Sequence, residues 1–82
     1  MVYVYVIRSK IDERDYIGIT NDIRRRLVEH NSGKTKSTKA YTPWKLLYFE
    51  LRENYKEARK REKYLKSGFG KHWIKNKERR II

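Results

Sequence analysis

The chain has 82 residues, and 22 Lys+Arg against 10 Asp+Glu give it a net charge of +12 with His neutral. That length holds one domain with a modest core. The absence of Cys excludes a disulfide scaffold and a Cys-ligated zinc site, and two His are a thin basis for a structural metal. Charged residues at 39% against apolar residues at 38% would be compatible with disorder, but an aromatic content of 13% and the apolar runs below argue for a folded chain. The charge favours a polyanionic partner, nucleic acid before an acidic membrane surface, because no long helix carries a wide apolar face opposite a basic one.

The first element is a strand over Val2–Ser9 (VYVYVIRS), β-branched and aromatic throughout. Both of its faces are apolar, which predicts a central strand covered on both sides. Met1 to Ile7 is the longest uncharged run; it is too short for a signal or a membrane span, so the chain reads as cytoplasmic. After a polar turn, Asp15–Thr20 (DYIGIT) predicts the second strand of a hairpin. A helix then runs from Asn21 to about Asn31. Thr20 or Asn21 can cap it, Gly33 can end it, and Ile23 and Leu27 mark its buried side. Residues 32–42 form a basic loop. Trp44–Arg52 predicts the third strand. Asn54 starts the longest helix, with Asn54 and Glu57 in the positions of a capping box, and Gly68 and Gly70 stop it near Ser67. Residues 71–79 predict a short last helix docked by Trp73 and Ile74.

Three features stand out from this plan. In the long helix Tyr55, Ala58, Leu65 and Phe69 fall on one side, and Glu62 falls within that stripe. A carboxylate facing a core is neutralised, paired or bound to a metal. It is either a structural salt-bridge partner or a functional group. In the first helix Arg26 and His30 lie four residues apart and share a face bordering the buried side. They either edge an amphipathic helix or offer themselves to a phosphate. In the first strand Tyr3, Tyr5 and Ile7 share one face, in the second Tyr16 and Gly18 share one face, and pairing of the two strands brings two phenols near each other. Tyr in a strand is ordinarily packing, whereas Gly weakens a strand and often marks a close approach.

Together these residues resemble the GIY-YIG nuclease superfamily. Tyr16-Ile17-Gly18 stands as the second half of its signature, and Tyr3-Val4-Tyr5 takes the place of the first half, of which only Tyr5 carries over. Arg26 and His30 follow at the family's positions on the first helix, and Glu62 falls where the family has its metal-binding Glu. The stretches Ile17–Lys34 and Pro43–Tyr48 are similar to the small stand-alone bacterial members, and the resemblance covers nearly the whole chain as a single domain over 1–82.

The resemblance implies an α+β fold, an αβ sandwich with a small, mostly antiparallel three-stranded sheet flanked by helices. It implies a one-metal endonuclease that hydrolyses DNA, including structured or damaged DNA of the kind met in DNA repair, with Mg2+ or Mn2+ held by Glu62. Arg26 would neutralise the phosphate, Tyr5 would accept a proton from the attacking water and Tyr16 would orient that water. His30 would hold the phosphate or relay a proton. Lys34, Lys36 and Lys39 in the loop, with Lys63 and Lys66 on the long helix, are the expected nucleic-acid contacts. Three classes follow: the enzyme; a DNA- or RNA-binding module whose inefficient site needs a protein partner for substrate specificity; and a basic protein that coats nucleic acid, which leaves Glu62 without a role.

Overall fold

The computed structural model describes residues 1–70 and 72–74. Three strands, β1 (Val2–Ser9), β2 (Asp15–Thr20) and β3 (Trp44–Arg52), span the residues predicted for them. They form one antiparallel sheet in the order β2-β1-β3, with the doubly apolar β1 in the centre. The fold is therefore the α+β arrangement expected, with helices on both faces of the sheet.

Alternation along β1 separates two cores. Val2, Val4 and Val6 face α2 (Tyr55–Lys66) and pack with Ile17, Ala58, Leu65 and Ile74. Tyr5 and Ile7 face α1 (Ile23–Asn31) and pack with Trp44, Tyr16, Ile23 and Leu27. A bulge lets β3 serve both layers. Val6 pairs with Tyr48 but Ile7 pairs with Leu46, so Leu47 is an extra residue.

The helix ends follow their local chemistry, with some shifts from the sequence reading. The α1 N-cap is Asp22, whose side chain accepts from Arg25 N–H at 3.0 Å, while Thr20 Oγ1 accepts from Asp22 N–H at 3.1 Å. The helix therefore starts two residues later than predicted. Its C-terminus closes on Gly33 at φ +80°, where Gly33 N–H donates to His30 O and Lys34 N–H to Glu29 O. Asn54 caps α2 by accepting from Glu57 N–H at 2.9 Å.

The stripe predicted on α2 is only half right. Ala58 and Leu65 are fully buried, but Tyr55 is 50% and Phe69 83% exposed. Phe69 lies past the end of α2 at Lys66 and no longer follows its phase, whereas Tyr55 is the first residue of the helix. Gly70 is also not a helix stop. Residues 68–70 are helical again, and a Cβ at Gly70 would run into the Leu65 backbone, so this Gly allows the next turn to lie against α2. Trp73 and Ile74 dock as predicted: Ile74 joins the α2-side core and Trp73 meets the Tyr48 ring edge-on at 5.4 Å. The remainder of the predicted last helix lies outside the described residues. Among the described residues no helix is long and apolar enough to cross a membrane.

Candidate active site

Tyr5 is the centre of the site. It is 2% exposed, faces the α1 layer and pairs across the sheet with Gly18. A Cβ at Gly18 would stand 2.6 Å from the Tyr5 hydroxyl and 2.8 Å from Cζ. The side chain missing at Gly18 is thus the space that the phenol fills. The Tyr5 hydroxyl lies 2.8 Å from His30 Nε2. Tyr16, two residues before Gly18, closes the group, with its ring 6.3 Å from Tyr5 and edge-on to His30 at 4.9 Å.

His30 stands in the last turn of α1 and is fully buried. Its Nδ1 lies 2.8 Å from Thr38 Oγ1. With both ring nitrogens engaged and no exposed surface, it has no path to a phosphate. Of the two roles read from the sequence, only proton relay is sterically open. Burial, and then the charge of Arg26, pull the imidazole down to about 4, so it is neutral near pH 7. Burial pushes the Tyr5 phenol up to about 12; an Arg26 hydrogen bond opposes this, and Tyr16 and Glu62 add to it.

Arg26 lies beside that hydroxyl with 30% of its side chain exposed. Glu29, one turn on, accepts from it at 3.0 Å and is the main reason its guanidinium is held charged, with a further contribution from Tyr5. Arg26 in turn holds the Glu29 carboxyl below its usual range. Glu29 was missed in the sequence, although its i+3 spacing from Arg26 is a readable signal.

Glu62 comes from the other layer. On α2 it and Arg61 flank the buried Ala58–Leu65 line. Arg61 turns toward β3, donating to Glu50 at 2.6 Å. Glu62 pairs with Lys66 at 3.3 Å, and Lys66 lines an open depression of about 290 Å³ with Asp15, Tyr16 and Ile17 of β2. Its charge reaches Tyr5, as the raised phenol records. The sequence reading expected all five residues on one concave face. Tyr5, Tyr16, Arg26 and His30 are joined by contacts on the α1 side, whereas Glu62 approaches from the α2 layer, beside edge strand β2.

No cluster of three or more metal-ligating side chains exists among the described residues. A single partly open carboxylate suits a hard cation that keeps most of its water, and does not suit zinc. Lys34, Lys36, Lys39, Lys63 and Lys66 are all exposed. Thr38 is the site residue with no sequence signal. It lies in a Ser/Thr/Lys-rich loop, yet it is fully buried, because Trp44 Nε1–H donates to its carbonyl at 2.9 Å. Trp44 itself is clasped by Asn31, which accepts from its N–H at 2.6 Å and donates to its carbonyl at 3.0 Å.

Comparison with known proteins places this geometry. A family model described as the GIY-YIG catalytic domain matches residues 1–79. The chain is similar to a UPF0213 protein of Clostridium perfringens, 46% identical over 67 residues, which is 80% of this chain and 71% of the relative. It is also similar to a UPF0213 protein of Bacillus licheniformis, 44% identical over 80 residues, covering 96% and 77%. A UPF0213 protein of Haloquadratum walsbyi is 41% identical over 66 residues, covering 79% and 73%. No solved structure matches. With the family model covering nearly the whole chain and the paired strand tyrosines in one cluster, the chain belongs to the GIY-YIG nuclease family and, within it, to the small UPF0213 proteins.

Proposed function

We propose that this protein is a metal-dependent endonuclease that hydrolyses phosphodiester bonds in DNA, including branched or damaged DNA. The observation that carries the reading is the Tyr5 hydroxyl, held between the neutral imidazole of His30 at 2.8 Å and the guanidinium of Arg26. A buried phenol between a proton acceptor and a permanent cation is placed to exchange a proton with water beside a phosphate. Arg26, partly exposed, neutralises charge as it builds on the phosphoryl oxygens. Tyr16 orients the attacking water, and Tyr5 takes its proton. Glu62 is the residue that would hold Mg2+ or Mn2+; when bound, the ion supplies charge stabilisation for the phosphate and the leaving oxygen. The exposed lysines follow the phosphate backbone and bind DNA, or RNA, without reading bases.

The Glu62–Lys66 pair favours a second reading, since the carboxylate already has a cation. In that case the chain is a binding module that cuts efficiently only with a protein partner. Incubating the purified chain with supercoiled plasmid and with branched duplexes, in Mg2+ or Mn2+, separates the two. Metal-dependent nicking that disappears in Glu62→Ala supports the enzyme. Tight, salt-sensitive binding with no cleavage supports the module.

A further inference from the structure

We infer that Thr38 is a positioning residue that sets the direction of proton transfer at Tyr5, by fixing His30 as the tautomer with its proton on Nδ1 and a bare Nε2. The inference rests on the reading of Tyr5 as the group that deprotonates water. It adds a residue from the basic loop that the sequence did not single out.

The direction follows from counting protons. A threonine hydroxyl has one proton to give. The Thr38 hydroxyl gives it to the carbonyl of Thr35, 3.4 Å away, in a turn that the Thr38 N–H also closes onto Thr35 O at 3.1 Å. With that proton turned to Thr35, lone pairs face His30 Nδ1 at 2.8 Å and Nδ1 carries the hydrogen. Neutral imidazole has one N–H, which leaves Nε2 an acceptor. Tyr5, 2.8 Å from Nε2, must therefore donate to it. Arg26 fits the same polarity. A guanidinium only donates, so the Tyr5 oxygen meets Arg26 with a lone pair and keeps its own proton for Nε2. The chain reads Arg26 to Tyr5 to His30 to Thr38 to Thr35, with every proton pointing the same way.

The surroundings hold this direction. His30 is faced by Arg26 and Glu29 from its own helix, by Tyr5 from β1 and by Tyr16 from β2. Glu62 of α2 acts on Tyr5. Thr38 is fixed from the other side by the Trp44 indole and by Tyr41 N–H, which donates to its carbonyl at 3.1 Å. In the reaction the water oxygen bonds to phosphorus and its proton passes to the Tyr5 oxygen. Tyr5's own proton passes to His30 Nε2. The bond from phosphorus to the leaving oxygen breaks, and that oxygen takes a proton from solvent. The imidazolium, disfavoured beside Arg26, then returns its extra proton to solvent through Tyr5. One water is consumed per bond cut, and the enzyme ends as it began.

The test uses the full chain and two readouts. Nitrogen-15 NMR of the ring nitrogens, with exposed His72 as the internal reference, reports the His30 tautomer without any need for activity. The expected result is a protonated Nδ1 and a bare Nε2 in the wild type and in Thr38→Ser. Thr38→Val, which keeps the shape but not the oxygen, should lose this preference. In cleavage assays Thr38→Val should lower kcat on the order of 10-fold or more, leave KM near its original value and change the pH profile, while Thr38→Ser restores the rate. A wild-type tautomer with the proton on Nε2 overturns the inference, whether or not Thr38→Val folds. So does a folded Thr38→Val that matches the wild type in tautomer or in rate. Absence of wild-type cleavage overturns the nuclease reading instead, and the tautomer still decides the role of Thr38.

Discussion

Gly18 shows how one residue joins structure to chemistry. The Tyr5 phenol is pinned at its oxygen by His30 and Arg26 and buried along its ring, so it cannot yield to a new methyl group 2.6 Å away. Gly18→Ala should therefore cost about 1–3 kcal/mol by overpacking and lower the melting midpoint by roughly 4–8 °C for each kcal/mol. It should also disrupt the Tyr5–His30 hydrogen bond, which NMR of the imidazole would show. A midpoint equal to that of the wild type would mean that Tyr5 is not held as described. His30 makes a prediction of its own in pH. Its folded value of about 4 lies below its ordinary 6.5, so the unfolded chain binds the proton more readily. The stability this group contributes is complete above about pH 6.5 and is lost as pH falls toward 4. Carboxylates such as Glu29, held low by Arg26, act in the same direction. His30→Gln isolates the term: between pH 6.5 and 4 its midpoint should fall less steeply than that of the wild type. Parallel curves would contradict a neutral buried His30.

At the scale of elements, α2 divides its charged residues between two tasks. Arg61 is held structurally. It donates to Glu50 on β3 and stacks over the Trp73 ring at 4.7 Å, and Tyr48 also bonds Glu50. Glu62, on the other flank, is partnered by exposed Lys66 along its own helix. An exposed i,i+4 pair contributes little, so Glu62→Gln should change stability by less than about 0.5 kcal/mol while removing metal-dependent cleavage. A large drop in melting midpoint measured in EDTA, with cleavage intact, would make Glu62 structural. The legibility of the elements divides in a similar way. The strands could be read to the residue, because continuous β-branched and aromatic runs end at polar turns. Tyr5, Tyr16, Arg26 and His30 could be gathered because strand and helix periodicity carries them to one side. Thr38 could not, since its burial depends on Trp44 and Asn31 closing a loop that has no period. Phe69 falls off the stripe because helical phase stops at a helix end that no Pro marks, and Tyr55 is the first residue of α2, where the stripe begins in solvent.

Across the whole molecule the charge of +12 is distributed over a small body, and the exposed lysines lie in both the basic loop and α2. Affinity for duplex DNA should fall with salt at a log–log slope of roughly −0.9 per phosphate contacted. Lys36→Ala and Lys63→Ala should each lower that slope by about one if they touch phosphate. Binding that does not change between low and moderate salt would remove the electrostatic basis for a nucleic-acid partner.

The extra residue in β3 has a consequence for insertions and deletions. Leu47 divides the strand into two reading frames: Glu50 and Tyr48 are in phase with the α2 layer, and beyond the slip Trp44 is in phase with the α1 layer. A substitution at Leu47 changes only packing. A deletion there only makes the ladder regular, with Leu46 still opposite Ile7 and Trp44 still opposite Ser9 on the α1 side. Removing Leu46 as well places Trp44 opposite Arg8 and turns it to the opposite side of the sheet. The Thr38 carbonyl then loses its indole donor, and Asn31 loses the backbone that it clasps. The surroundings of the Tyr5 phenol on the central strand thus tolerate the loss of one residue from the edge strand β3, but not of two.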